Sequence, residues 1–179
     1  MKVSNRLERR YQRHRELHNK LREHAADILN SDKFKSTRNC IQHGSIPVQR
    51  HCIDVAKQSI IFSRAFKMKV NEREMVRGAL LHDYFLYDWH DKEREDYNGL
   101  HGFYHPGIAL RNASEDYDLS DREKDIICKH MWPLTISRIP RYKEAWVVTM
   151  ADKYCSTLET LRLRKGAKAA RNKINKRGK

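Results

Sequence analysis

Breakers of regular structure are scarce in this chain, with seven glycines and four prolines among 179 residues. That excludes collagen-like and proline-rich low-complexity architectures, which are built on those residues. Long apolar runs are also missing. No window approaches the roughly 18 uncharged apolar residues of a membrane span, and the opening Met1-Lys2-Val3-Ser4-Asn5-Arg6 leads into charge rather than into an apolar targeting segment. The chain therefore reads as cytoplasmic, with no membrane partner. Its four cysteines, at 40, 52, 128 and 155, form no Cys-x-x-Cys pair, so their spacing fits neither a zinc ribbon nor a compact disulfide framework. Each is expected to be a reduced thiol packed as a small hydrophobe. No run alternates with period two over strand length, and the nearest hairpin dipeptide, Asn98-Gly99, has charged flanks. Neither a nucleophile elbow nor a Gly-rich phosphate loop occurs.

What is present is helical. The balance of 39% apolar and 34% charged residues suits a soluble helical domain, and the length suffices for one buried core. Leu7, Tyr11, His14, Leu17, Leu21, Ala25 and Ile28 recur three or four apart, which predicts an amphipathic outer helix over 4–30. Ser31-Asp32 caps a short helical piece to about 42, and His43-Gly44-Ser45-Ile46-Pro47 breaks it. A helix over 48–66 follows, with a stripe at Val48, Cys52, Val55, Phe62 and Phe66. Asn71-x-x-Glu74 opens another over 72–86, buried through Val76, Ala79, Leu80 and Leu81. The charged stretch 88–104 reads as a surface loop that could border a site. Pro106 suits a first helical position. Ser120-x-x-Glu123 caps a helix to about 131, and Pro140 opens the last one over 141–164. The expected fold is all-α: a single compact bundle of about six helices over 1–164, with a basic, disordered tail over 165–179.

Charge concentrates at the two ends. The net charge is +14; residues 1–24 hold eight Lys/Arg against three Glu, and residues 165–179 hold seven Lys/Arg and no acid. Basic ends can bind nucleic acid by counterion release or simply keep a solvated terminus soluble. The middle of the chain is nearly neutral, so its buried faces carry the more specific information.

Several polar residues break the apolar pattern there. His51 shares a face with Val55 and Phe62. His82-Asp83 ends the stripe Val76-Ala79-Leu80, His130 follows Ile126 and Ile127, and Asp152 follows Val148 and Thr149. A buried carboxylate without a partner costs several kcal/mol, yet no lysine or arginine falls on those same stripes. Histidines do, and neutral imidazole with carboxylate is a transition-metal ligand set. Any one of these histidines could be a hydrogen-bonded core residue; five elements delivering His or Asp to one interior make a ligand cluster the better reading. Trp132, Trp146, Tyr84 and Tyr87 read as packing or pocket wall rather than nucleobase platforms.

Residues 45–160 resemble the HD-domain metal-dependent phosphohydrolases, an all-helical superfamily with spaced His, His-Asp and Asp elements. The elements are Gln49-Arg50-His51-Cys52-Ile53-Asp54-Val55-Ala56, Ala79-Leu80-Leu81-His82-Asp83, His105-Pro106-Gly107-Ile108-Ala109, Cys128-Lys129-His130 and Ala151-Asp152-Lys153. The resemblance implies that His51, His82, Asp83 and Asp152 hold one metal, while Asp83 bridges to a second held by His105 and His130. His82 and Asp83 would be the catalytic pair. His90 and His101 are rival candidates, with His105 preferred because it directly precedes Pro106. Iron, manganese, cobalt, nickel or zinc suits such a set better than magnesium. Many members of that family have a Gly-Lys after the His-Asp pair, whose lysine meets substrate phosphate; here the chain reads Tyr84-Phe85-Leu86-Tyr87-Asp88. Arg111, Lys129, Arg138 and Lys153 are the candidates for that cation.

The implied activity is hydrolysis of a phosphate ester, nucleotide-like or a small phosphorylated metabolite, by a metal-activated water acting as phosphomonoesterase or phosphodiesterase. The competing reading is a metal-structured nucleic-acid-binding module, or a nuclease, that uses the basic termini.

Overall fold

The computed structural model describes residues 2–43, 46–87 and 101–177, and side chains within them at 7–9, 11–42, 46–87 and 102–161. Among the described residues there are seven α-helices: α1 Lys2–Asn30, α2 Asp32–Ser36, α3 Val48–Ala65, α4 Glu72–Leu81, α5 His101–Asp116, α6 Asp121–Lys129 and α7 Lys143–Arg177. A 3-10 turn at Thr37–Asn39 and two short strands, β1 Ile41–His43 and β2 Ile46–Pro47, connect α2 to α3. The all-α expectation holds. The antiparallel pair β1/β2 is a small departure from it, too short to give a period-two pattern in the sequence.

Helix α3 lies against α4 and α7; α4 also lies against α1 and α6, and α6 against α5 and α7. Gly78 permits the α4–α6 approach, because a Cβ there would stand only 2.6 Å from Ile126 Cδ1. The core runs through Leu21 and Ile28 of α1, Val55 and Ile60 of α3, Met75 and Leu80 of α4, Ile126 and Ile127 of α6, and Val148 of α7. No helix among the described residues is long and apolar enough to cross a membrane.

Several boundaries differ from the sequence reading, each for a physical reason. In α1 only the second half of the stripe packs: Leu17, Leu21, Ala25 and Ile28 are buried, while Leu7 and Tyr11 are exposed. Phe66, past the end of α3, is likewise exposed. Helix α4 stops at Leu81 rather than 86: the chain turns at His82 and Asp83 and again through Leu86, which is in a left-handed conformation (φ 60°). Asn112 Nδ2 pins that turn by donating to the carbonyls of Tyr84 and Phe85, both at 3.1 Å. Helix α5 starts at His101, so Pro106 lies within its first two turns rather than at its first position. The rest of the expected loop, 88–100, lies outside the described residues. Helix α7 runs on to Arg177, through the stretch read as a separate tail. Ala167, Ala169 and Ala170 with interspersed Lys and Arg are strong helix formers, and no proline intervenes.

Two caps hold as expected, one of them with an added partner. Ser120 and Glu123 form a reciprocal capping box on α6. Asn71 accepts from Glu74 N at the start of α4, but its own N–H goes to Glu144 Oε1 of α7 at 2.7 Å. The cap thereby ties α4 to α7, the two helices that carry the aspartates of the ligand set.

Candidate metal centre

All six residues of the expected ligand set are brought together and buried: His51, His82, Asp83, His105, His130 and Asp152. Each arrives from a helix interior or from the C-terminal end of a helix. His51 sits one turn into α3, His82 caps α4 with Asp83 next to it, His105 lies in α5, His130 caps α6, and Asp152 faces inward from α7. The α3–α4–α6–α7 packing makes these positions converge.

The two oxygens of Asp83 divide between two groups of histidines. Its Oδ2 stands 3.2 Å from His82 Nε2 and 3.8 Å from His51 Nε2. Its Oδ1 stands 3.2 Å from His105 Nε2 and 3.6 Å from His130 Nε2. Asp152 Oδ1 completes the first group, 3.1 Å from His51 Nε2 and 3.9 Å from His82 Nε2. In the second, the Nε2 atoms of His105 and His130 face each other at 2.8 Å. The groups His51/His82/Asp83 and Asp83/His105/His130 could each hold a metal ion, their ligand atoms lying within 4.8 Å of one another.

Outer contacts aim these rings. His82 Nδ1 lies 2.8 Å from the carbonyl of Ala79, and His130 Nδ1 lies 2.9 Å from that of Ile127. An N–H donated to each carbonyl assigns Nδ1 as the protonated nitrogen of the neutral ring and turns Nε2 toward the centre, the arrangement that fixes the tautomer of metal-ligating histidine. His51 is set the same way by a carboxylate: its Nδ1 lies 3.2 and 3.1 Å from the two oxygens of Glu159. His82 Nε2 and Asp83 Oδ1 are buried with no hydrogen-bond partner among the described residues. Buried polar atoms normally find partners, so two orphans that both face the centre mark it as a place for a ligand.

Electrostatics divides the centre in the same two parts. Burial opposes charge on His51, but hydrogen bonds to Asp152 and Glu159 outweigh it and push its pKa up to about 10. Burial likewise opposes charge on His82, and the Asp83 carboxylate outweighs it and raises the pKa well above the usual imidazole value. Burial, then the neighbouring His82 and His105, hold His130 well below that value. Burial would raise both aspartates, but His82 and His105 hold Asp83 well below the carboxylate range, and His51 with Lys153 does the same for Asp152. The first group therefore gathers the carboxylates and the histidines they hold protonated, and the second has a neutral His130 beside the shared Asp83.

Three contacts escaped sequence reasoning. Gln42, carried by β1, donates from Nε2 to Asp83 Oδ2 at 2.7 Å. Glu159 lies two turns beyond Asp152 on the same face of α7, a helical spacing that could have found it; the signal for Gln42 depends on the strand pair, which the sequence hides. The third is a cation on a buried aspartate from outside the apolar stripes: Lys153 Nζ lies 2.8 Å from Asp152 Oδ2. A lysine off the buried stripe reaches back because its long stem places the ammonium away from its own Cα.

The rival histidines cannot be compared with the set. His90 lies outside the described residues, as does the side chain of His101. Two cysteines are packed as expected, Cys52 and Cys155, whereas Cys40 and Cys128 are only half-buried; all four are free thiols. Burial, then the carboxylate of Glu159, pushes the Cys155 thiol up to about 12. Trp132 packs edge-on against Trp146 at 4.9 Å, and Tyr84 is buried with its hydroxyl on Asp116 Oδ2, so these aromatics serve packing.

A comparison with known proteins finds no match to this chain among family models, curated proteins or solved structures. The chemistry of the centre therefore has to be argued from its own atoms.

Proposed function

We propose that the protein is a metal-dependent phosphohydrolase of the HD-domain kind, holding two divalent transition-metal ions and hydrolysing a small phosphorylated substrate. The observation that carries this reading is the division of Asp83, with Oδ2 among His51 and His82 and Oδ1 among His105 and His130. One carboxylate shared by two sets of imidazoles is the geometry of a bridged two-ion site.

The donor set fits the ions on independent grounds. Two of its atoms are buried orphans, and its rings are fixed by outer acceptors at Nδ1. Three carboxylates, Asp83, Asp152 and Glu159, are buried around four histidines, and Lys153 touches one of them, Asp152. The raised pKa values of His51 and His82 show that these carboxylates favour positive charge at the ring nitrogens, a place that a bound cation would take over from protons. Nitrogen-rich ligation favours iron, manganese, cobalt, nickel or zinc. His51, His82, Asp83 and Asp152 would hold one ion, and Asp83, His105 and His130 the other. When bound, such ions supply a water acidified to near neutrality and positive charge against the phosphoryl oxygens.

The chain's own residues do the rest. Gln42 holds Asp83 in the bridging rotamer by occupying one lone pair of Oδ2. Glu159 orients His51 and makes it a stronger donor. Ser156 Oγ donates to Asp152 Oδ1 at 3.1 Å and fixes that carboxylate's plane.

The test is hydrolysis of an aryl phosphate by chelator-stripped protein reconstituted with each metal in turn. The expected result is turnover that returns with iron, manganese, cobalt, nickel or zinc and is absent from the stripped protein. Metal uptake without turnover on either monoester or diester probes would contradict the enzymatic reading and favour a metal-structured binding module.

A further inference from the structure

A side-chain cation beside the ions can donate to a phosphoryl oxygen that they leave free and stabilise the charge that develops in the transition state. The stretch Tyr84-Phe85-Leu86-Tyr87 after His82-Asp83 supplies none. Four residues were candidates by nearness in sequence, and the structure separates them. Lys129 Nζ is held 2.5 Å from Asp125 Oδ1 on its own helix. Arg138 Nη1 reaches Cys128 Sγ at 3.7 Å, and Arg111 points from the exposed side of α5. None of these three makes a hydrogen bond or ion pair with any of the six ligand residues.

Lys153 does. Its Nζ lies 2.8 Å from Asp152 Oδ2 and 3.2 Å from the carbonyl of His130, so it spans the gap between the two groups of ligands. Asp152 Oδ2 is the oxygen turned away from His51; Oδ1 is the one at the centre. The lysine therefore borders the ion site without competing for its ligand atoms. An ammonium has three donors. Two go to these oxygens, and the third meets only the Met131 thioether at 3.8 Å, a weak acceptor that a phosphate oxygen would displace. The side chain is 41% exposed although Asp152 beside it is buried, which places the ammonium at the solvent edge of the centre.

We infer that Lys153 is the phosphate-contacting residue, its ammonium donating to a phosphoryl oxygen of substrate held at the ions. This rests on the metal-dependent phosphohydrolase reading and adds to it a preference for substrates with a terminal, doubly ionised phosphate. A diester offers one less charge at that position, so its hydrolysis depends less on Lys153.

The test uses the metal-reconstituted protein with Lys153→Met and Lys153→Arg, reading metal content, inorganic phosphate binding by calorimetry, and KM and kcat for an aryl monoester. Lys153→Met is expected to keep the parent's metal content, bind phosphate about tenfold or more weakly and raise the monoester KM by a similar factor. Lys153→Arg is expected to recover most of both. Metal loss in Lys153→Met would overturn the inference and make Lys153 a partner of Asp152 alone. Unchanged phosphate affinity in a fully loaded Lys153→Met protein would overturn it too, while leaving the metal reading intact. A parent protein that takes up no metal would overturn the functional reading and this inference together.

Discussion

Helix α4 carries two buried polar clusters, and they are opposite in kind. Toward its middle, Arg77 donates from Nε to Glu123 Oε1 at 2.7 Å and from Nη1 to both oxygens of Asp27 at 2.6 and 2.8 Å. Glu123 Oε2 is in turn taken by Ser120 N at 2.8 Å. Every carboxylate oxygen there has a donor, and positive charge sits between the negatives. At the C-terminal end of the same helix, His82 and Asp83 belong to a cluster of histidines and carboxylates in which His82 Nε2 and Asp83 Oδ1 are buried with no partner among the described residues. The first cluster joins α1, α4 and α6 with its carboxylate oxygens satisfied by protein donors. The second leaves His82 Nε2 and Asp83 Oδ1 unmatched and could hold metal ions. Burial and charge alone do not distinguish a structural network from a ligand site; the unmatched lone pairs do.

The sharpest way to break this contrast is to remove the shared carboxylate. Asp83→Ala is expected to abolish metal binding and hydrolysis together, because both groups of histidines lose their common anion; metal analysis and aryl phosphate turnover check it. Retained activity would place the site elsewhere. Next in size is Arg77→Met, which strands Glu123 in the interior. It should cost about 3 kcal/mol of stability, seen as a lower urea midpoint, yet the folded variant should bind as much metal as the parent. If metal is lost with folding intact, the two clusters are not independent.

His130→Ala tests the second group alone. About one ion should remain, through His51, His82, Asp83 and Asp152, while turnover falls steeply. Its stability should fall less than that of Asp152→Ala, since a neutral ligand leaves no under-neutralised cation when it is removed. Full turnover with both ions retained would make His130 a core residue. Asp27→Asn should have the smallest effect, below about 1 kcal/mol, because its side chain is half-exposed.

Acid should separate the clusters as well. Burial would raise the Asp27 carboxyl, but hydrogen bonds from Arg77 hold it below its usual value. Its contribution is therefore present above the ordinary carboxylate range and lost only as pH falls through the depressed pKa. At the centre, protons compete with ions for the imidazoles, and the raised pKa values of His51 and His82 strengthen that competition, so metal should leave in milder acid than the depressed carboxyl of Asp27 requires. Metal retention and helical circular dichroism followed over the same titration check this order. Unfolding before metal release would contradict it.

Much of this was legible in the sequence, for identifiable reasons. His51, His82, Asp83, His130 and Asp152 interrupt apolar stripes of 3.6 periodicity, so helix geometry alone turned them inward. Ser120 and Glu123 announced the start of α6 by their spacing. What could not be read depended on tertiary placement. Gln42 reaches Asp83 only because β1 pairs with β2, and Asn71 is tied by Glu144 from a helix distant in sequence. Arg77 is buried on α4 because α1 and α6 supply Asp27 and Glu123, partners that no local pattern announces. The turn that follows α4 was hidden because Leu86, a residue with no preference for positive φ, takes part in it.

The central claim is that the unmatched lone pairs around Asp83 belong to two metal ions. Its most direct test is the stoichiometry of purified protein, stripped and then titrated with each transition metal, followed by calorimetry and elemental analysis. The account predicts about two ions per chain, bound in two resolvable steps, with the step at the carboxylate-rich His51 group the tighter. Protein that holds no transition metal as purified, and takes none up on titration, would contradict it.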